Sequence, residues 1–303
     1  MYPTRSWFVT LAALVTLACS ASAATAPHLS ATDPLAPRSP RLVIAGGALS
    51  AETAAVWQAF VEARHGSGPL CVLPTASGNP ERSGASAAAT LRRYTHEVNV
   101  RVLPLTTESA GLATQPGFAE ELRACSGYWF VGGSQSRITD VFLPGGLETM
   151  AWQALHDRHA QGAVIGGSSA GAAMMSSLMI AGGSSREAID HGVATSPDGP
   201  GIDVRAGMRL FDAGVLDQHF LARGRIGRLL VTVLDHPDIA VGFGIDENTA
   251  LVVEGDSVRV LGESGVIIVD GRTASGRDDE ALHVWLAGSG DHFTLEQLTP
   301  TAA

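Results

Sequence analysis

Apolar residues come along this chain in short, nearly continuous runs, separated by longer stretches in which they return every third or fourth position. The runs read as strands buried on both faces, and the stretches between them as helices burying one stripe. Residues 42–45 open the series as a strand ending in Gly46-Gly47, and residues 51–65 follow as an amphipathic helix offering Ala55, Trp57, Phe60 and Val61 for burial. Strands are then predicted over 70–74, 98–103, 128–131 and from 163, with helices over 80–97, 117–125, 137–142 and 147–159 between them. Strands and helices alternating in units of this length predict an α/β fold with a mostly parallel sheet and helices on both faces. In such sheets ligands bind beyond the carboxyl ends of the strands, which is where Gly46-Gly47, Gly132-Gly133 and Ser169 fall. Residues 185–209 read as loop-rich, with Ser196-Pro197-Asp198-Gly199-Pro200-Gly201 as a turn cluster. Short β-type runs at 239–243, 250–253, 257–261, 265–269 and 283–286 predict antiparallel strands at the sheet edge.

The N-terminus changes the picture of where the protein works. Residues 1–23 carry the pattern of a secretory signal, with Arg5 in the n-region, an apolar run over 7–18 and the small residues Ala21-Ser22-Ala23 at the cleavage site. That run is too short to span a bilayer comfortably, and the alternative of lipid attachment at Cys19 is poorly matched by Thr16-Leu17-Ala18-Cys19. Residues 24–40 hold four prolines and read as a flexible lead, leaving 41–303 as a single catalytic domain. Export to the periplasm or the medium makes a disulfide chemically accessible to Cys71 and Cys125, though two separate buried thiols fit the pattern as well. A formal net charge of -10 excludes a phosphate-binding nucleic-acid partner, which needs clustered Lys and Arg on a basic face.

Gly166-Gly167-Ser168-Ser169-Ala170-Gly171-Ala172 follows the apolar Ala163-Val164-Ile165 and leads into Ala173-Met174-Met175, a strand-to-helix bend with Ser169 at its apex. This is the pattern of a nucleophile elbow, in which small neighbours let strand and helix close around a strained serine. Its hydroxyl then stands at a helix N-terminus, where free N–H groups favour developing negative charge. A Gly/Ser connection that binds an anion without chemistry is the plainer alternative, and a base decides between them. Gly46-Gly47 also invites a dinucleotide site, but Gly-x-Gly-x-x-Gly is missing.

Histidine is the side chain whose ordinary pKa suits the base, and the chain has 10. His28 lies in the lead; His65, His96 and His159 fall near predicted helix ends, as surface residues do; His156 and His159 lack the further ligands of a metal site. His219 stands apart in Val215-Leu216-Asp217-Gln218-His219-Phe220-Leu221-Ala222-Arg223-Gly224-Arg225-Ile226-Gly227-Arg228-Leu229-Leu230, beside a carboxylate and ahead of three arginines suited to two-pronged carboxylate binding. A solvated basic helix capped by Asp217 and Gln218 is the competing view of the same segment.

Four blocks carry a family resemblance. Tyr-Trp-Phe-Val-Gly-Gly-Ser-Gln-Ser-Arg-Ile-Thr (128–139), the elbow at 166–172, the segment 217–230 and Gly-Ile-Asp-Glu-Asn-Thr-Ala (244–250) together resemble the cyanophycinase family of serine peptidases, related to peptidase E. The resemblance implies a class I glutamine-amidotransferase-like fold and a Ser-His-Glu triad with Ser169 as nucleophile, His219 as general base and Glu247 as the acid orienting it. It further implies an oxyanion hole from the N–H groups of Ala170 and Gly133, and a substrate pocket lined by Gln135, Asp217, Gln218, Arg223, Arg225 and Arg228. No metal or other cofactor is implied; a homodimer is the common assembly. Members cut cyanophycin, a poly-aspartate backbone with arginine on each β-carboxyl, to β-Asp-Arg dipeptides. Two departures stand out: Ser134 where Asp or Asn usually precedes the glutamine, and Ser168 in place of the commoner threonine.

Three rivals remain at this point. A β-aspartyl or acidic-peptide dipeptidase of the same family uses the same arginines. An α/β-hydrolase esterase also fits the elbow, but needs the acid before the histidine, so His283 or His292 acting with Asp246, Glu254 or Asp270. A non-catalytic binding protein holding anionic peptides is the third.

Overall fold

The structure, a computed structural model, describes residues 41–196, 199–273 and 282–302. The signal-like segment 1–23, the lead 24–40 and Pro197-Asp198 of the turn cluster lie outside the described residues.

Five strands, β1 (Arg41–Ala45), β2 (Leu70–Leu73), β3 (Val100–Val102), β4 (Gly127–Phe130) and β5 (Val164–Ser168), pair in parallel in the order β1-β5-β4-β2-β3. Their side chains alternate between two cores, as a period of two requires. Val43, Val72 and Trp129 face a cluster with Trp57, Phe60 and Leu91 from α1 (Ala54–Glu62) and α2 (Pro80–Tyr94). Ile44, Leu73, Tyr128 and Phe130 face the other, with Phe118 and Leu122 of α3 (Pro116–Arg123), Ile138 and Phe142 of α4 (Gln135–Phe142) and Leu155 of α5 (Met150–Ala160). Trp129 packs against Trp57 at 4.5 Å and edge-on against Phe60 at 5.0 Å. This buried central sheet is the mostly parallel α/β architecture the apolar runs predict.

The boundaries differ from the sequence pattern for local reasons. Helix α1 begins at Ala54 rather than 51, because the Ser50 N–H and the Thr53 hydroxyl both bond Asn248 Oδ1 and hold the approach to the helix in a turn. The helical pattern over 137–159 is broken by a 3₁₀ turn at Pro144–Gly146, where a proline lacks its N–H and Gly145 takes φ 61°. The stretch expected to be loop-rich holds helix α7 (Ser185–His191), opened by a capping box between Ser184 and Glu187, and strand β7 (Val204–Ala206), which pairs antiparallel with β6 (Leu178–Ile180) from just ahead of the stretch.

The C-terminal strands divide between two sheets, where the sequence pattern predicted one edge. Strands β10 (Thr249–Glu254), β11 (Ser257–Gly262) and β14 (His292–Thr294) extend the main sheet antiparallel beyond β1. A second sheet runs β13 (His283–Gly288), β12 (Gly265–Asp270), β9 (Val241–Ile245), β8 (Val215–Asp217); β8 and β9 are parallel and joined through helix α8 (Ile226–Asp235). Period alone cannot tell which sheet a short β-run joins. Among the described residues no helix is long and apolar enough to cross a membrane.

Cys71, on β2, and Cys125, just ahead of β4, form a buried disulfide 54 residues apart. It ties β2 to the approach to its neighbour β4. Closing a loop of this length removes about 4 kcal/mol of unfolded-chain entropy in the loop-closure model. Replacing both cysteines by alanine is therefore expected to lower the unfolding free energy by roughly 2–5 kcal/mol. Denaturant titration checks this; an unchanged midpoint contradicts it.

Candidate active site

Ser169 follows β5 with φ 57° and ψ -115°, a backbone conformation that costs a non-glycine residue ~1–3 kcal/mol. Its N–H donates to Ala45 O at 3.0 Å, and the chain closes so tightly that a Cβ on Gly167 would lie 2.2 Å from Gly171 O and one on Gly171 2.3 Å from Phe130 O. Helix α6 (Ala170–Ala173) is a single turn, so the dipole that a longer helix would bring to the hydroxyl is small. The Gly132-Gly133 turn after β4 runs against the elbow, a Cβ on Gly132 standing 3.3 Å from that of Ser169. Among the described residues neither Ala170 N–H nor Gly133 N–H donates to another group, and Gly133 and Ser169 line one cavity.

His219 follows β8 in the left-handed region, φ 48°, with its N–H donating to Gly46 O at 2.6 Å. A Cβ on Gly47 would stand 2.3 Å from the imidazole, so the double glycine that hinted at a dinucleotide makes room for a histidine ring instead. His219 Nε2 lies 2.8 Å from Ser169 Oγ and Nδ1 lies 2.6 Å from Oε1 of Glu247, in the turn between β9 and β10. The tautomer serving both contacts carries its proton on Nδ1, donating to Glu247, and accepts from the Ser169 hydroxyl at Nε2. Burial pushes the His219 pKa below the ordinary histidine value; the Glu247 hydrogen bond opposes this and the Arg223 charge adds to it. The ring is thus neutral at neutral pH and able to accept a proton.

A protonated ring could not take the serine proton, so with His219 as the base activity is expected to fall as pH drops through its pKa. The acid limb of kcat/KM is expected below about 6.5. Arg223→Gln removes one of the lowering charges and is expected to move that limb upward; pH–rate profiles of the two proteins check it, and a downward move contradicts it.

Beyond Ser169 a cavity of ≈ 280 Å³ is lined by Gly133, Ser134, Gln135, Gln218 and the three arginines, with Ala181, Gly182 and Gly183 closing the far side. Gln135 is buried and its Nε2 donates to Ile180 O at 2.6 Å, which turns Oε1 to be the free end of the amide. Arg228 donates from Nε to Asp217 Oδ2 at 2.7 Å, from Nη2 to Oδ1, and from Nη1 to Gly183 O at 2.8 Å. Asp217, expected among the pocket-lining residues, therefore lies behind the pocket, its carboxylate occupied by Arg228 and by Gln218 N–H at 2.8 Å. Arg225 bonds Gln218 O at 2.7 Å and the Gln218 side-chain oxygen. Burial, with the charge of Arg228 next, pulls the Arg225 pKa down to about 10. Arg223 is exposed, and its guanidinium makes no bond or ion pair among the described residues. The basic segment is not a solvated helix: its first residues end a strand, and its arginines surround a hole.

Other expected residues stand elsewhere. His292 is exposed on β14 and contacts the Thr301 hydroxyl at 3.1 Å, and Asp270 is paired with Arg272, so neither forms the esterase arrangement. His159, expected at the surface, is buried, with Nδ1 3.0 Å from Ala163 O, because α5 carries it beneath the start of β5. Among the described residues no three His, Cys, Asp or Glu side chains cluster as a metal site. The glycines 182 and 183 escaped sequence reading; only the glycine pair itself, between an apolar triplet and the Ser184 cap, could have marked them.

The family model of Peptidase family S51 matches residues 42–261. A cyanophycinase from Geminocystis herdmanii (strain PCC 6308) is 30% identical over 279 residues, 88% of this chain and 97% of its own. A cyanophycinase from Trichormus variabilis (strain ATCC 29413 / PCC 7937) is 34% identical over 203 residues, 66% of this chain and 63% of its own. Among solved structures, a peptidase from an acI-B1 Actinobacterium superposes with a TM-score of 0.61 at 20% identity, over 85% of this chain and 98% of that one. A putative peptidase E from Listeria monocytogenes EGD-e gives 0.50 at 17% identity, over 75% and 100%. These two structures share the fold.

Proposed function

The chain belongs to peptidase family S51 and is a serine-type peptidase; from that premise we propose that it is an exported cyanophycinase acting through Ser169, His219 and Glu247. The observation that carries the triad is one imidazole lying between the Ser169 hydroxyl at 2.8 Å and the Glu247 carboxylate at 2.6 Å. As substrate binds, Ser169 Oγ attacks an aspartyl carbonyl carbon while its proton passes to His219 Nε2. Glu247 stabilises the imidazolium through Nδ1–H. The carbonyl oxygen, now negative, faces the N–H groups of Ala170 and Gly133, a hole in which each donor is worth ~3–4 kcal/mol to the transition state. The C–N bond breaks, the leaving amine takes the proton from His219, and an acyl-enzyme remains on Ser169. Water then repeats the sequence: His219 accepts its proton, the hydroxide adds to the ester carbon, and Ser169 leaves with the proton returned.

The cationic pocket in an otherwise acidic chain supports a substrate that ends in free carboxylates. Its ≈ 280 Å³ has room for one end unit of a chain, in keeping with an exopeptidase. The same size supports the second reading, a dipeptidase for small β-aspartyl peptides. Export is supported by the signal-like 1–23 and by the Cys71–Cys125 bridge, which persists in oxidising compartments.

Cyanophycin turnover by Glu247→Gln and His292→Ala tests the assignment. The first is expected to lose roughly 10³–10⁴-fold in kcat, as removal of the orienting carboxylate does in serine triads. The second is expected to match the wild type; the opposite pattern sinks the triad.

A further inference from the structure

Base and acid come from two turns, 219–225 after β8 and 246–248 between β9 and β10. Both carry strain: His219 has φ 48° and Asn248 φ 52°. Such residues stay put only where neighbours over-determine them. Besides Glu247, which meets the His219 ring, Asp246 is a side chain of the second turn that reaches the first. It is 8% exposed; Oδ1 accepts the Leu221 N–H at 3.1 Å and the Ala222 N–H at 3.0 Å, and Oδ2 accepts the Ser264 hydroxyl at 2.8 Å. Its own N–H donates to Gly265 O at 3.2 Å, fixing it to β12. Burial pushes its carboxyl up, but the hydrogen bonds from Ala222, Ser264, Glu247 and Leu221 outweigh this and hold it below the usual carboxylate range.

We infer that Asp246 is a positioning residue for the reaction: a carboxylate bracket that fastens the histidine turn to the strand end bearing Glu247. The contact of His219 Nδ1 with Glu247, and with it the aim of Nε2 at Ser169, is then set before substrate arrives. The inference rests on the triad proposed above. Asp246 lines neither the pocket nor the serine, so it acts through its neighbours. The groups facing the His219 ring are Glu247 of the β9–β10 turn, Arg223 and Arg225 of its own turn, and the Ser169 hydroxyl. Of these, Glu247 is the one that raises the imidazole pKa, so loosening the bracket lowers it.

The test is the pH dependence of the rate at which a fluorophosphonate labels Ser169. An Oγ–P bond forms, fluoride leaves and the serine proton passes to His219, so the rate reports serine activation without any peptide substrate. Asp246→Ala is expected to label about 10- to 100-fold more slowly, the loss that follows from misplacing reacting groups by an ångström. Its acid limb is expected to move to lower pH. Asp246→Asn keeps an oxygen for both N–H donors, so it should label within about threefold of the wild type, with its limb in place. Three results overturn the inference: wild-type labelling by Asp246→Ala, a slowed Asp246→Ala whose limb has not moved, or an Asp246→Asn slowed tenfold or more. Should the alanine variant not fold, the asparagine result decides alone. Labelling that persists in Ser169→Ala, or is absent from the wild type, instead overturns the triad itself, so the two failures are distinct.

Discussion

Ser169→Ala is expected to abolish peptide cleavage while leaving the melting temperature within a few degrees of the wild type. In a serine triad the nucleophile is worth about 10⁶-fold in kcat, because without it the histidine and its acid have no proton to move. What remains is the oxyanion hole and bound substrate, worth ~10³–10⁴ over water. The folded state has little to lose. Alanine keeps the Cβ, keeps the backbone N–H bonded to Ala45 O, and removes only the hydroxyl facing His219. Steady-state turnover beside a thermal scan checks both halves; a variant that turns over within a hundredfold of the wild type contradicts the assignment.

Asp217→Ala is expected to have the largest effect on stability. Asp217 is 1% exposed and Arg228 4%, and the pair is joined through both carboxylate oxygens. Burying two charges gains little over a well-packed apolar pair, but removing one partner leaves the other desolvated and uncompensated, at about 3–5 kcal/mol. For a chain of this size that corresponds to roughly 10 °C in Tm. The pocket should open as well, since Arg228 reaches Gly183 O from the same anchor and Gln218 N–H leans on the same carboxylate. A rise in KM beyond tenfold with the Tm loss is the expected result. Retention of wild-type Tm contradicts the view that this pair holds the pocket wall. The variant that separates charge from packing is Asp217→Asn, which keeps the shape and loses the compensation.

The central sheet was legible because its strands are buried on both faces and so read as unbroken apolar runs at 42–45, 70–74 and 128–131. The elbow was legible because strain at Ser169 demands small neighbours, and Gly167 and Gly171 leave room for nothing larger. His219 could be singled out by its setting among Asp217 and the arginines, and the structure brings it to Ser169 across 50 positions of sequence. Glu247 came from family resemblance rather than from spacing, since nothing in a single sequence shows which turn will face which. Asp217 meets the same limit: a carboxylate beside arginines looks the same in sequence whether it meets substrate or holds Arg228 from behind. The runs that became β9, β12 and β13 were legible as strands but not as a second sheet, and β8, β6 and β7 stayed hidden because they are three residues each, too short for period to speak. Asp246 was weighed only as an acid for a rival mechanism, and its part in bracing the turns is visible only in the hydrogen bonds it accepts.

We propose that this serine peptidase cleaves aspartyl bonds of cyanophycin through Ser169. The most direct test is mass spectrometry of the products formed by the purified mature protein from insoluble cyanophycin and, separately, from β-aspartyl dipeptides, beside the Ser169→Ala control. Soluble β-Asp-Arg is expected from the polymer with the wild type and none with the variant. Cleavage of the dipeptides alone, or β-Asp-Arg released equally by Ser169→Ala, would contradict it.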